Sequence, residues 1–270
     1  LVGVYAHEIL SLADSTPSSI IDYSNAVGSH TFTAWRTQYG WARDTRIDYC
    51  IPTRGTFQRV SAKFTLPGST VEYFKLNYEF SKYWPLSPMF VLNTRAELGY
   101  GDSYGADTTR RFCQVQGSDT IVKASSECAA GSSEVSSVTA SGLPFFENFY
   151  AGGVRSVRGF RDNTLGPRSE AIGGFDGQPL GGALKTTGSL EMYFPKLFDS
   201  KAARISAFVD FGNVFAGTDD FDAGELRAST GISLLWRAPV GPISISYALP
   251  LRTKDEDEVE RLQFTFGGAF

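Results

Sequence analysis

The stretch Phe149-Tyr150-Ala151-Gly152-Gly153-Val154-Arg155-Ser156-Val157-Arg158-Gly159-Phe160 decides how the rest of the chain is read. It lies in a long Gly-rich connection, where a solvated loop is expected, yet its last four residues set Arg158 between Val157 and the Gly159-Phe160 pair. A loop in water has no use for that arrangement. It makes sense where the loop folds back into a polar interior: glycine lets the backbone approach a wall, and the guanidinium meets carboxylates there. The remaining sequence therefore has to supply a polar-lined interior.

Composition points to strands. Aromatic residues are 14% of the chain, with 21 Phe and 12 Tyr beside 28 Gly and only 2 Met and 2 His, the profile of many strands joined by turns rather than of a helical enzyme core. The length of 270 residues fits one large β domain or two smaller ones. A net charge of -4 offers no electrostatic footprint for nucleic acid. No apolar run of about 18 residues is present, so no spanning helix is expected; a membrane β-barrel stays open, because its hydropathy signal is weak per segment. The opening Leu1-Val2-Gly3-Val4-Tyr5 reads as the inside of a strand and shows no signal peptide, so an upstream part is expected to be missing. Cys113 and Cys128 share one Ser/Gly/Thr-rich segment, which suits a local disulfide in an oxidising compartment, the alternative being two free thiols in a disordered loop. Cys50 is left over.

Alternation of apolar and polar residues, interrupted by turn residues, predicts strands over 1–12, 31–45, 56–67, 71–83, 89–100, 184–194, 203–214, 226–237, 243–251 and 261–270, ten in all. The cleanest is 71–83, where Phe74, Leu76, Tyr78 and Phe80 oppose Lys75, Asn77, Glu79 and Ser81. In 184–194 a face of Lys185, Thr187, Ser189 and Glu191 opposes Leu190, Met192 and Phe194. In 203–214 Ile205, Ala207, Val209 and Phe211 oppose Arg204, Ser206, Phe208 and Asp210, and in the last strand Leu262, Phe264 and Phe266 oppose Arg261, Gln263, Thr265 and Gly267. The connections alternate too. Those at 13–30, 101–183, 215–225 and 252–260 are long or polar, the first with a possible short helical turn; those at 46–55, 84–88, 195–202 and 238–242 are short and Pro-bearing, the pattern of an outer-membrane meander. The segment 101–183 far exceeds the usual length of roughly two to six residues. PFFENFYAGG (144–153) and VRGFRDNTLGPR (157–168) argue that at least half of it is folded.

A soluble β-sandwich alternates in the same way, so patterning alone leaves both architectures open. The composition of the faces favours the membrane barrel. Its apolar faces carry Phe, Leu, Tyr and Trp suited to lipid, and its polar faces carry the Lys, Arg, Glu and Asn of a lumen.

The run ENFYAGG…SVRGF…GP (147–167), with SLEMYFP (189–195), FVDFGNVF (208–215), PVGPISISYALPL (239–251) and the closing LQFTFGGAF (262–270), resembles the sixth extracellular loop and last strands of BamA-type outer-membrane β-barrel assembly factors of Gram-negative bacteria. The likeness spans the chain and is strongest from about residue 144 onward. The arginine-glycine tetrapeptide is shared with the wider superfamily, including TamA-like and two-partner-secretion barrels; the FYAGG extension and the LEMYFP strand favour the assembly factors. The resemblance implies an all-β, transmembrane, antiparallel up-and-down barrel of sixteen strands. This chain would be the last ten, with upstream strands and periplasmic repeat domains absent and the long loop at about 101–183. It implies folding and insertion of other barrels without enzymatic chemistry, in the bacterial outer membrane. The implied partners are unfolded outer-membrane protein clients, outer-membrane lipoproteins of the assembly complex, the lipid bilayer and lipopolysaccharide. A passive pore or secretion channel would use the same barrel.

By the same resemblance, Arg158 of the Val157-Arg158-Gly159-Phe160 motif reaches acidic partners on the wall, here Glu191 and Asp210, both of which the alternation already places on the polar face. Phe264, Phe266 and Phe270 match an assembly signal in the last strand, read by strand addition. Elsewhere no catalytic set, cofactor box or metal site is legible. Gly99-Tyr100-Gly101 with Gly105 imitates a phosphate loop without a following helix; Asp219, Asp220, Asp222 and the run Asp255 to Glu258 lack calcium-loop spacing; His7 and His30 have no ligand pattern around them.

Overall fold

The computed structural model describes residues 2–9, 16–47, 52–105, 107–115, 121–124, 128–129, 132–170, 177–195, 203–238 and 241–267. Cys50 and Phe270 lie outside them. In chain order the elements are β1 (Val2–Ile9), α1 (Ser18–Val27), β2 (Thr31–Asp44), β3 (Gly55–Thr65), β4 (Tyr73–Ser87), β5 (Phe90–Ser103), β6 (Thr108–Val115), β7 (Ile121–Ala124), β8 (Ser132–Ala140), β9 (Gly159–Phe160), β10 (Leu184–Phe194), β11 (Ala203–Phe215), β12 (Arg227–Ala238), β13 (Gly241–Arg252), β14 (Val259–Glu260) and β15 (Leu262–Phe266).

One sheet of ten strands runs β1-β2-β3-β4-β5-β10-β11-β12-β13-β15, every neighbouring pair antiparallel. These are the ten strands read from the period-two pattern. Their faces divide as the alternation predicts. Leu190, Val209, Phe211, Ile232, Tyr247, Leu249, Leu262 and Phe264 stand exposed on one side, while Ser189, Glu191, Ser206, Asp210, Ser229, Ser233, Ser244, Ser246 and Gln263 are buried on the other. A sandwich would cover the apolar face with a second sheet; here it is bare, as a lipid-facing wall must be. No described helix is long and apolar enough to cross a membrane. The chain is thus a ten-stranded portion of a transmembrane antiparallel β-barrel.

Several boundaries differ from expectation: β5 runs on to Ser103, and β13 already starts at Gly241. The turn placed at 84–88 shrinks, because β4 continues through Pro85 to Ser87 and β5 starts at Phe90. Pro85 is tolerated where the register shifts between Pro85 and Ser87, a bulge at which no ladder N–H is needed. The helical turn expected after β1 is a ten-residue helix, α1, stopped by Gly28 in the left-handed conformation at φ 75.

The connection between β5 and β10 holds a sheet of its own, β7-β6-β8, joined by the Cys113–Cys128 disulfide. Past β8 the chain turns back against the polar face of the wall. There it brings the apolar core of the molecule: Phe149, Ala151, Val157, Phe160 and Leu165 pack with Tyr73, Leu143 and Val214. The interior is therefore built by the loop, on a wall that is itself polar.

Candidate functional site

The loop is folded by its own backbone before it meets the wall. Bridges pair Phe149 with Gly182, Ala151 with Leu165 and Arg168 with Pro179. Gly152 and Gly153 turn the chain at φ 106 and 89, where a Cβ on Gly152 would collide with the Arg161 carbonyl. The turn is tied by Ser156 Oγ, which donates to Gly152 O and accepts from Gly152 N, both at 2.8 Å. Gly159 and Phe160 form β9, which pairs with β14.

This frame aims Arg158 at β10 and β11. Period two puts Ser189 and Glu191 on the inward face of β10, and Asp210 on that of β11, directly opposite Ser189. Arg158 Nε donates to Asp210 Oδ2 at 2.6 Å and Nη2 to Asp210 Oδ1 at 2.8 Å, a bidentate pair. Nη1 donates to Glu191 Oε1 at 3.2 Å, and Nη2 reaches Ser189 Oγ at 3.3 Å and Glu191 Oε2 at 3.4 Å. The Arg158 backbone N–H also donates to Asp210 Oδ2, at 3.1 Å. The guanidinium lies 3.5 Å from the Phe208 ring centroid, a cation–π contact. Relative exposure is 4% for Arg158, 5% for Glu191 and 0% for Asp210, so the whole group is out of water.

Charge balance explains how such burial is tolerated. Arg95 Nη2 approaches Glu191 Oε2 to 3.7 Å, so two cations meet two carboxylates. Glu191 takes a further bond from Ser206 Oγ at 2.5 Å. Burial by itself would lower the Arg158 pKa, but Asp210 and Glu191 outweigh it and raise it above its ordinary value.

A second anchor went unread in the sequence. Glu147, in a short 3₁₀ turn of the same loop, enters the opposite part of the wall. Its carboxylate accepts from Arg36 Nη1 at 2.7 Å, from Lys63 Nζ at 2.8 Å and from Tyr73 OH at 2.9 Å, and its carbonyl accepts from Lys75. Burial would raise the Glu147 pKa, but Lys63, Tyr73 and Lys75 together hold it below the ordinary carboxylate value. A signal existed. Lys63 and Lys75 stand directly opposite each other on β3 and β4, and like charges so placed repel unless a counter-charge comes between them. Phe208 carried a signal as well, being an aromatic on an otherwise polar face.

Phe264 and Phe266 sit away from this site, on the lipid-facing side of β15. Cys113 lies in β6 of the small sheet and Cys128 in the connection between β7 and β8. Among the described residues no cluster of three or more His, Cys, Asp or Glu is placed to hold a metal.

Comparison with known proteins agrees with this architecture. The assembly factor BamA of Neisseria meningitidis serogroup B is 30% identical over 300 residues, covering 99% of this chain and 33% of that protein. BamA of Nitratidesulfovibrio vulgaris is 26% identical, covering 85% and 25%, and a SAM50-like protein of Schizosaccharomyces pombe is 23% identical, covering 85% and 42%. The chain thus spans a quarter to two fifths of the length of these relatives. The crystal structure of BamA from Haemophilus ducreyi lacking POTRA domains 1–3 superposes with a TM-score of 0.75 at 26% identity, covering 96% of this chain and 49% of that one. The Omp85 superfamily domain matches residues 4–270, through every strand of the large sheet and the anchored loop, and the chain belongs to that superfamily.

Proposed function

We propose that this chain is the C-terminal part of the barrel of an outer-membrane protein assembly factor, which folds and inserts other β-barrel proteins without covalent chemistry. The observation that carries the reading is the loop fixed inside the lumen through Arg158, Glu191 and Asp210. A passive channel needs an open lumen; a loop that lays a packed apolar core against the polar face of the wall favours the assembly reading instead. In this reading what such a barrel offers a client is a strand edge, since backbone groups left unpaired in lipid are costly enough to template an incoming strand. The last strand also presents Phe264 and Phe266 outward, with Phe270 at the chain end, as the aromatic signal of the barrel's own assembly. Unfolded outer-membrane proteins are the clients in this reading. Lipid and lipopolysaccharide meet the exposed apolar face, and accessory lipoproteins bind the assembled complex.

The test is reconstitution of the full-length protein in liposomes. Addition of an unfolded outer-membrane barrel should give faster appearance of its heat-modifiable folded form than liposomes alone. Steady ion conductance with no acceleration of client folding would move the channel reading ahead.

A further inference from the structure

The loop motif is held by the wall on its Arg158 side and by the end of the chain on the other. Gln263 of β15 points into the lumen and is 3% exposed. Its Oε1 accepts from the Gly159 N–H at 3.2 Å, and its Nε2 donates to the Phe160 carbonyl at 2.7 Å. The Phe160 carbonyl is shared with the Gly153 N–H at 2.9 Å, inside the glycine turn. One side-chain amide thus behaves as a strand of one residue laid against β9. The arrangement is specific to an amide: a flipped amide would set donor against donor, a glutamate would keep the Gly159 bond and lose the Phe160 one, and a leucine would lose both. The same segment is stitched further. The Arg161 N–H donates to the Glu258 carbonyl at 2.8 Å, and the Glu258 carboxylate takes Arg161 and Arg168, each at 2.8 Å.

Among the described residues β15 spans Leu262–Phe266 and pairs with Ile243 to Tyr247 of β13, extended by backbone bonds from the Ala248 N–H to the Arg261 carbonyl and from the Gly267 N–H to the Pro242 carbonyl. The two Gln263 side-chain bonds add to this short ladder from the inward face.

We propose that Gln263 is a positioning residue that couples the Val157–Phe160 motif to the last strand. Displacing the loop from β10 and β11 loosens β15, and displacing β15 loosens the loop. The coupling runs through a contiguous hydrogen-bonded path, Asp210 to Arg158 to Gly159 to Gln263, in which each step is a direct bond or the next peptide in the chain. It concerns the geometry of this barrel and does not depend on the client-folding reading.

The experiment is amide hydrogen exchange on the full-length protein in nanodiscs, for the unaltered protein, Arg158→Ala, Gln263→Leu and the double variant. Arg158→Ala should speed exchange over 262–266 by about tenfold, within the range for residues that share one network. Gln263→Leu should speed exchange over 157–161 similarly, and the double variant should go no further than the larger single effect. Protection over 186–192 in β10 should persist in all, showing that the barrel is intact. If Gln263→Leu does not fold, Gln263→Glu should fold and give an intermediate effect, since it keeps one of the two bonds. Unchanged exchange over 262–266 in Arg158→Ala, or single effects that multiply in the double variant, would overturn the proposal. Exchange is read without a client, so a negative folding assay and a negative coupling result remain distinguishable.

Discussion

Replacing Arg158 by Ala leaves Glu191 and Asp210 buried with only Arg95 to balance them, and Arg95 reaches Glu191 alone, at 3.7 Å. Breaking a buried ion pair by removing one partner costs about 3–5 kcal/mol, which shifts the docking equilibrium of the loop by roughly two to four orders of magnitude. Replacing Asp210 by Ala instead leaves two cations against Glu191, a smaller imbalance because Arg158 keeps Glu191 and Ser189. The informative variant is the double one. With Arg158 and Asp210 both gone, Arg95 and Glu191 remain as a balanced pair, so the double replacement should undock the loop less than the two singles added together. Coupling of about 0.5–3 kcal/mol is normal for residues in one network, and the short bidentate geometry puts this pair near the upper end. The same geometry orders the milder variants: Asp210→Asn, which weakens bonds of 2.6 and 2.8 Å, should cost more than Glu191→Gln, which weakens bonds of 3.2 and 3.4 Å. Exchange of the amides at 157–161 in the full-length protein reads each value. Additive singles, or a larger loss for Glu191→Gln, would refute the argument.

Glu147→Gln should loosen residues 144–152 at neutral pH while leaving β10 and β11 protected, as exchange across both segments would show. Because the Glu147 pKa is lowered on folding, its contribution is present above the unfolded carboxylate value and disappears as pH falls through the lower folded value; the unaltered protein should lose protection at 144–152 only under acid, and Glu147→Gln should show no such acid step. Gly159→Ala forces a Cβ into a backbone at φ 91, against Ala248, and should cost about 1–2 kcal/mol, read as a lower unfolding temperature of the loop-docked form. Reducing Cys113–Cys128, which closes a separation of 15 residues, should destabilise β6 to β8 by about 3 kcal/mol and leave the large sheet unchanged, as protease cutting between 108 and 140 would report.

The ten wall strands were legible because each has one wet and one lipid-facing side, and that asymmetry is written in the sequence with a period of two. Glu191 and Asp210 could be placed on the inward face by the same rule. The small sheet was not legible. β8 reads Ser-Ser-Glu-Val-Ser-Ser-Val-Thr-Ala, mostly exposed on both sides, so no period distinguishes it from a polar loop. Glu147 escaped for another reason: a carboxylate beside Phe145 and Phe146 says nothing of its partners until the registers of β2, β3 and β4 bring Arg36, Lys63 and Lys75 to one place. Gln263 was assigned to the inward face, but its partner is a peptide group, which leaves no residue type to look for.

The two anchors carry opposite signs, and this determines the orientation of the loop. Glu147 enters a wall of Arg36, Lys63 and Lys75, and Arg158 enters one of Glu191 and Asp210. Where the loop meets it, the wall is therefore basic at Arg36, Lys63 and Lys75 and acidic at Glu191 and Asp210. A loop docked the other way round would set Glu147 against carboxylates and Arg158 against cations, two buried like-charge contacts. Each native anchor thus stabilises one orientation and penalises its reverse, which is how charged pairs confer specificity even where their net contribution to stability is small. Hydrophobic burial of Val157, Phe160 and Leu165 supplies the attraction but has no direction of its own. The direction comes from charge, and from it follows the placement of Gly159 and Phe160 beside Gln263 of the last strand.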